Sequence, residues 1–193
     1  MRKMFEIGGL VAAVVLIGFG IGSLVLSVNG RNTVRTSLTH EQISGTPDMT
    51  PAAIKAEATK AGLENVSLPT CDVAGKPVNT GDRARCFASY MRIHALEASG
   101  GLTYAQMPQY ATADGKGTND ATAALQQDGR PVSNAARNVW VTETALSTAL
   151  NTSYLAEQVS VFGIVVGVAL LLSGIGFGIL ALGGALRGRE RTL

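Results

Sequence analysis

Two stretches without a charged side chain decide most of what this 193-residue chain can fold into. Residues 7–30 and 158–186 contain no Asp, Glu, Lys or Arg. A helix that crosses a bilayer needs about 20 consecutive apolar residues, and buried helices of soluble proteins rarely run that far without a charge. The reading is therefore two transmembrane helices, at 7–28 and 158–186, the second long enough to tilt or to project past the hydrocarbon. The first run is also longer than the apolar part of a signal peptide, about 7–15 residues. It closes with Ser27-Val28-Asn29-Gly30-Arg31, which offers no small-x-small cleavage site, so it reads as an uncleaved anchor.

Two spans put the tails 1–6 and 187–193 on one side and residues 29–157 on the other. Arg187, Arg189 and Arg191 favour a cytoplasmic C-terminus, whereas Arg31 and Arg35 leave the N-terminal end nearly balanced. Cys71 and Cys86 are the chain's only cysteines and both lie in the middle segment. Such a pair suits a disulfide in an oxidising compartment. The expectation is a plasma-membrane protein with both termini cytoplasmic and residues 29–157 extracytoplasmic. That middle segment is close to neutral, with 11 Lys/Arg against 12 Asp/Glu over 31–157. A nucleic-acid surface needs clustered cations, so no nucleic-acid partner is expected.

Within the spans the pentapeptide Ile-Gly-Phe-Gly-Ile occurs twice, at 17–21 and 175–179. A Gly-x-Gly inside an apolar helix has no strand and no polar partner for a phosphate loop. Its physical use is close approach of helix backbones. Gly163, Gly167, Gly174, Gly178, Ala181 and Ala185 share one helical stripe, and Gly9, Ala13, Gly20, Ser23 and Ser27 make a matching one. Packing of the two helices as a hairpin follows. Gly18 and Gly22 lie on a second face of the first helix, available for self-association or for a partner helix. No ionisable residue lies within either span, which argues against an ion pathway or proton relay.

The middle segment is rich in alanine, with Leu, Ile, Val and Phe supplying 20 of its 127 residues. A thin helical core, stapled by Cys71 and Cys86, is the expectation. Thr50-Pro51 opens a helix that Gly62 ends. Asp82 is read as the cap of a second, about 83–99, with Phe87, Met91 and His94 at helical spacing beside Tyr90 and Ile93. A third begins near Ser133 and runs into the second span, with Val139, Leu146 and Leu150 as its inner seam and Val34, Leu38 and Ile43 as partners. Residues 63–81 and 100–132 read as loops. The fold class is thus an all-α membrane protein, a two-helix transmembrane hairpin with a mostly helical, disulfide-stapled external domain.

Catalytic motifs are absent from the sequence. There is no Gly-x-Ser-x-Gly, and Cys71 and Cys86 lack the C-x-x-C spacing of thiol oxidoreductases. A mononuclear iron oxygenase site wants two histidines and a carboxylate. Of the two histidines present, His40 sits on the stalk and His94 reads as a satisfied core histidine, so no metal ligands and no cofactor are expected. Asp114, Asn119 and Asp120 lack the alternate ligands and closing Glu of a calcium loop. Arg83, Arg85 and Arg92 form one basic side of the second helix, open to a partner or to headgroups. Tyr104, Tyr110 and Trp140 are the candidates for lining a ligand pocket.

Three strings, Gly45-Thr-Pro-Asp-Met-Thr-Pro-Ala-Ala-Ile54, Ala84-Arg-Cys-Phe-Ala88 with Tyr90-Met-Arg-Ile-His-Ala-Leu-Glu-Ala98, and Arg137-Asn-Val-Trp-Val-Thr-Glu-Thr-Ala-Leu146, carry a resemblance. The layout resembles small two-span membrane proteins of actinobacteria that have no established activity. Proteins that look like these are sometimes labelled aromatic ring-opening dioxygenases, a label that the histidine count argues against. The resemblance implies a shared fold. The functional expectation is a non-enzymatic envelope protein whose partners are the bilayer and another membrane protein or a second copy. A sensor or ligand-binding module is the alternative, and a membrane-anchored enzyme comes third.

Overall fold

The computed structural model describes residues 2–183, with side chains from Met4 onward. Ala185 and the basic tail at Arg187, Arg189 and Arg191 lie outside the described residues. The chain divides into two compact units, one of Met1–Arg35 with Leu155–Leu193 and the other of Thr36–Tyr154. Helix α1 covers Arg2–His40, α2 Pro51–Lys60, α3 Gly81–Ala98 and α4 Ala135–Leu182, with strands β1 (Gln126–Gln127) and β2 (Arg130–Pro131) before α4. The fold is mostly helical. Both α1 and α4 are long and apolar enough to cross a membrane, with a mean hydropathy of 2.5 in their most apolar windows.

In the first unit the two helices pack antiparallel, and small residues set how closely. A Cβ placed on Gly20 would stand 3.0 Å from the Gly167 carbonyl oxygen, and one on Gly167 would stand 3.0 Å from the Gly20 carbonyl oxygen. Each glycine thus faces the other's backbone. Gly174 repeats the arrangement against the Ala13 carbonyl oxygen, also at 3.0 Å. At the Ser23 level a hydroxyl closes the gap, donating to the Gly163 carbonyl at 2.8 Å. Side chains of Leu171, Leu24 and Ile17 fill in beside Gly20, Gly167 and Gly174, 2.8 Å from where a Cβ would stand, so dispersion contacts of backbone and side chain together hold the seam.

The second unit is built on α2 and α3. Thr50 accepts from the Ala53 amide as N-cap, with Pro51 at the first helical position. Gly62, at φ +66°, lies just beyond the end of α2. The α3 cap is Thr80 rather than Asp82, which instead lies in the first turn, where a carboxylate favours the helix dipole. Two residues of offset separate the rival caps, and both have the right chemistry. Met49, Ile54, Ala58, Val73, Cys86, Tyr90 and Ile93 form the core, and Ile54 and Tyr90 are wholly inaccessible. Burial pushes the Tyr90 hydroxyl above the ordinary tyrosine range, and it donates to the Cys71 carbonyl. Cys71 and Cys86 are joined by a disulfide.

Segment 43–49 lies against 73–78 in a backbone clasp. Gly45 donates to Lys76 O at 3.0 Å and accepts from Gly75 N at 2.9 Å, while Val78 donates to Ile43 O at 2.8 Å. Two expectations about helix phase are corrected here. On α3 the buried positions are Gly81, Ala84, Cys86, Ala88, Tyr90, Ile93 and Ala95, so Tyr90 and Ile93 turn inward while Phe87, Met91 and His94 are half-buried. On α4, Val139 and Leu146 are each 45% exposed, and Trp140, Glu143 and Leu150 turn inward. Alanine is tolerated on either side of a helix, so an alanine-rich stretch does not announce its phase. The stretch 100–132 also holds more than loops. Gln126 and Gln127 pair antiparallel with Arg130 and Pro131. Asp128 and Gly129 turn the chain at φ 50° and 72°, the positive values a tight hairpin requires.

Candidate functional site

Each unit holds one group of residues that local folding does not explain. In the first unit it is the face of α1 turned away from the glycine seam. A Cβ on Gly18 or Gly22 would meet nothing within 4 Å. Together with Val14, Val15, Phe19, Ser23 and Leu26, and with Leu170 of α4, these glycines line an apolar groove of about 770 Å³. Gly9, Ala13 and Gly20 are buried on the other face. Gly178 sits opposite Ala13, at an ordinary 3.7 Å for an added Cβ.

At the end of the same unit the Glu157 side chain, 7% exposed, lies 3.1 Å from Arg31 Nε and 2.7 Å from Arg35. Both arginines are about 40% exposed. This inequality gives a directional prediction. Glu157→Gln leaves two cations that water can reach, and is expected to cost less than about 1 kcal/mol. Replacing Arg31 and Arg35 together by alanine takes both cations from beside a buried carboxylate, and is expected to cost about 2 kcal/mol. Thermal unfolding midpoints of the two variants in one detergent decide it; equal losses would refute the inequality.

In the second unit the arginines of α3 are held within the domain instead of being offered to a partner. Arg83 donates to Pro77 O at 3.1 Å and to Asn79 Oδ1 at 3.0 Å. Arg85 covers the Tyr154 ring at 4.7 Å. Arg92 covers the Trp140 ring at 4.0 Å and donates to Glu143 Oε2 at 3.1 Å. Glu143 is 4% exposed and takes a further hydrogen bond from Ser147 at 2.7 Å.

The three aromatic candidates each have their own surroundings. Tyr104 is exposed and stacked under Arg137 at 4.0 Å. Tyr110 forms backbone bridges with Thr118 and Ser133. Trp140 packs with Ala95 and Met107. An open groove of about 600 Å³ runs between α3 and α4, lined by Met91, His94, Ala95, Ala98, Asn138, Val139, Thr142 and Glu143.

His94 is the residue that differs most from its sequence reading. It is not a core histidine. Its side chain is 31% exposed, and its Nε2, itself closed off from water, lies 3.0 Å from Asp48 Oδ2 and 3.5 Å from Glu57 Oε2. A side-chain hydrogen bond from Thr46 holds the Asp48 carboxyl below the usual carboxylate range, with the proximity of His94 contributing. Sequence spacing carries no signal for this cluster, because its three members come from a loop, α2 and α3.

The acidic loop residues resolve into turns. Asp114 accepts from the Thr112 hydroxyl and the Lys116 amide, and Asp120 from the Thr122 hydroxyl and amide. Those hydrogen bonds hold both carboxyls below their ordinary range. Asn119 Oδ1 accepts from the Gln109 amide at 2.9 Å.

Comparison with protein-family models, with curated proteins and with solved structures finds no match to this chain.

Proposed function

We propose that this chain is a non-enzymatic integral membrane protein that presents a small, disulfide-stapled external domain and assembles with another membrane protein or with a second copy of itself. In this reading α1 and α4 cross the plasma membrane, both termini are cytoplasmic and residues 29–157 face outward. The observation that carries it is the second glycine face of α1. The seam between α1 and α4 occupies Ala13, Gly20, Gly167 and Gly174, while Gly18 and Gly22 stay open on the outside of the pair. Small residues that are not needed for internal packing give another helix a place for close backbone approach.

Replacing Gly18 and Gly22 by leucine is the test. Native mass spectrometry of the protein, extracted gently from its own membranes, is expected to show a stoichiometric second chain that the double variant lacks. Both proteins should unfold at nearly the same temperature, because neither glycine touches α4. A wild-type chain that is monomeric and alone in this experiment would refute the assembly reading. The groove beside His94 supports a second reading, an external ligand-binding module, for which the same spectrum would carry a bound small molecule.

A further inference from the structure

The geometry points to a divalent metal site of the zinc class at Asp48, Glu57 and His94, holding together three separate segments of the external domain. One ligand atom from each residue falls within a cluster whose members all lie within 4.8 Å of one another. Nitrogen and carboxylate ligands sit about 2.0–2.2 Å from zinc, which sets neighbouring ligand atoms of a tetrahedral site about 3.3–3.5 Å apart. The distances from His94 Nε2, 3.0 and 3.5 Å, bracket that spacing.

The second observation is the state of the nitrogen itself. Nε2 is closed off from water, and the atoms it faces are the two carboxylate oxygens 3.0 and 3.5 Å away. Its lone pair is what a metal would take. An imidazole with two carboxylates suits zinc, manganese or iron better than calcium, which prefers six or more oxygens. The two cysteines are in a disulfide, so no thiolate competes for the ion.

The position explains what the ion would do. Asp48 precedes α2, Glu57 lies within α2 and His94 within α3. The apolar core that joins these elements is small, and a metal that binds only the folded arrangement adds its binding free energy to folding. Ligand atoms supplied by three protein residues leave a position for water. This site is independent of how the membrane helices associate.

Isothermal titration of full-length, untagged, chelator-stripped protein in detergent with zinc chloride tests the site, with magnesium chloride as the contrast. One zinc per chain is expected, accompanied by a higher unfolding temperature, and little response to magnesium. His94→Gln should weaken zinc binding by about 100-fold or more. Asp48→Asn and Glu57→Gln should each weaken it by about tenfold or more, and His40→Gln should leave it unchanged. Metal-free unfolding curves identify any variant that is not folded, in which case the remaining two ligand variants decide. X-ray absorption of the zinc-loaded protein should show one imidazole among light-atom ligands. No saturable zinc binding, or binding unchanged by the ligand substitutions, would overturn the site.

Discussion

Gly45→Ala is expected to destabilise the second unit by about 3 kcal/mol or more, because among the glycines whose surroundings are described it has the closest backbone atom to an added methyl group. The new Cβ would lie 1.9 Å from the carbonyl oxygen of Val73 and 2.6 Å from its carbonyl carbon. Neither atom belongs to a side chain that can rotate aside. Segment 43–49 must therefore move off 73–78, and the clasp loses hydrogen bonds at Gly45, Gly75 and Val78, each worth about 1 kcal/mol net. Gly75→Ala makes the control. An alanine there meets nothing within 4 Å but must adopt φ +65°, which costs about 1 kcal/mol. Urea titrations monitored by far-ultraviolet circular dichroism should separate the two by a factor of about three. Equal effects would show that the clasp is more pliable than its geometry implies.

Loss of the disulfide is the second large effect. Cys71 and Cys86 are 15 residues apart in sequence, and closing a loop of that size lowers the entropy of the unfolded chain by about 3 kcal/mol at 25 °C. Cys86 also belongs to the core, beside Tyr90 and Ile93, so alanine is a better replacement than serine, whose hydroxyl would be buried. The Cys71→Ala, Cys86→Ala double variant is expected to unfold about 15 °C below the parent. Reductant should lower the parent's midpoint to a similar value and leave the variant's unmoved. A parent midpoint indifferent to reductant would remove the staple from the account of stability.

The elements with strong local punctuation were legible in the sequence. Thr50-Pro51 and Gly62 bound α2 for reasons that need no tertiary context, and two charge-free runs mark two long apolar helices whatever surrounds them. Helix phase was less legible. On α4 Leu150 turns inward as its spacing suggests, but Val139 and Leu146 do not; Trp140 and Glu143 do, the latter a carboxylate made tolerable by Ser147 one turn along the helix and by Arg92 from outside any local pattern. The cluster at Asp48, Glu57 and His94 was invisible for the same reason. Its members are ordinary surface residue types until the chain folds them together. Gly45 is instructive in another way. Most loop glycines are read as turn formers, but its φ is not positive, and what it supplies is room for another backbone.

The clamp of Arg31 and Arg35 on Glu157 also acts as a waterline. Three charged groups cannot enter hydrocarbon cheaply even when paired, so in a bilayer they fix the depth at which the helix pair floats. Below that mark the charge-free part of α4, from 158 to its end at Leu182, is about 37 Å long at 1.5 Å per residue. The hydrocarbon is about 30 Å thick. In the reading proposed above, with this level pinned, the surplus length is taken up by leaning or by emerging on the far side. A thick membrane would then suit the helix pair, and in a thin one it would list like a ship in shallow water.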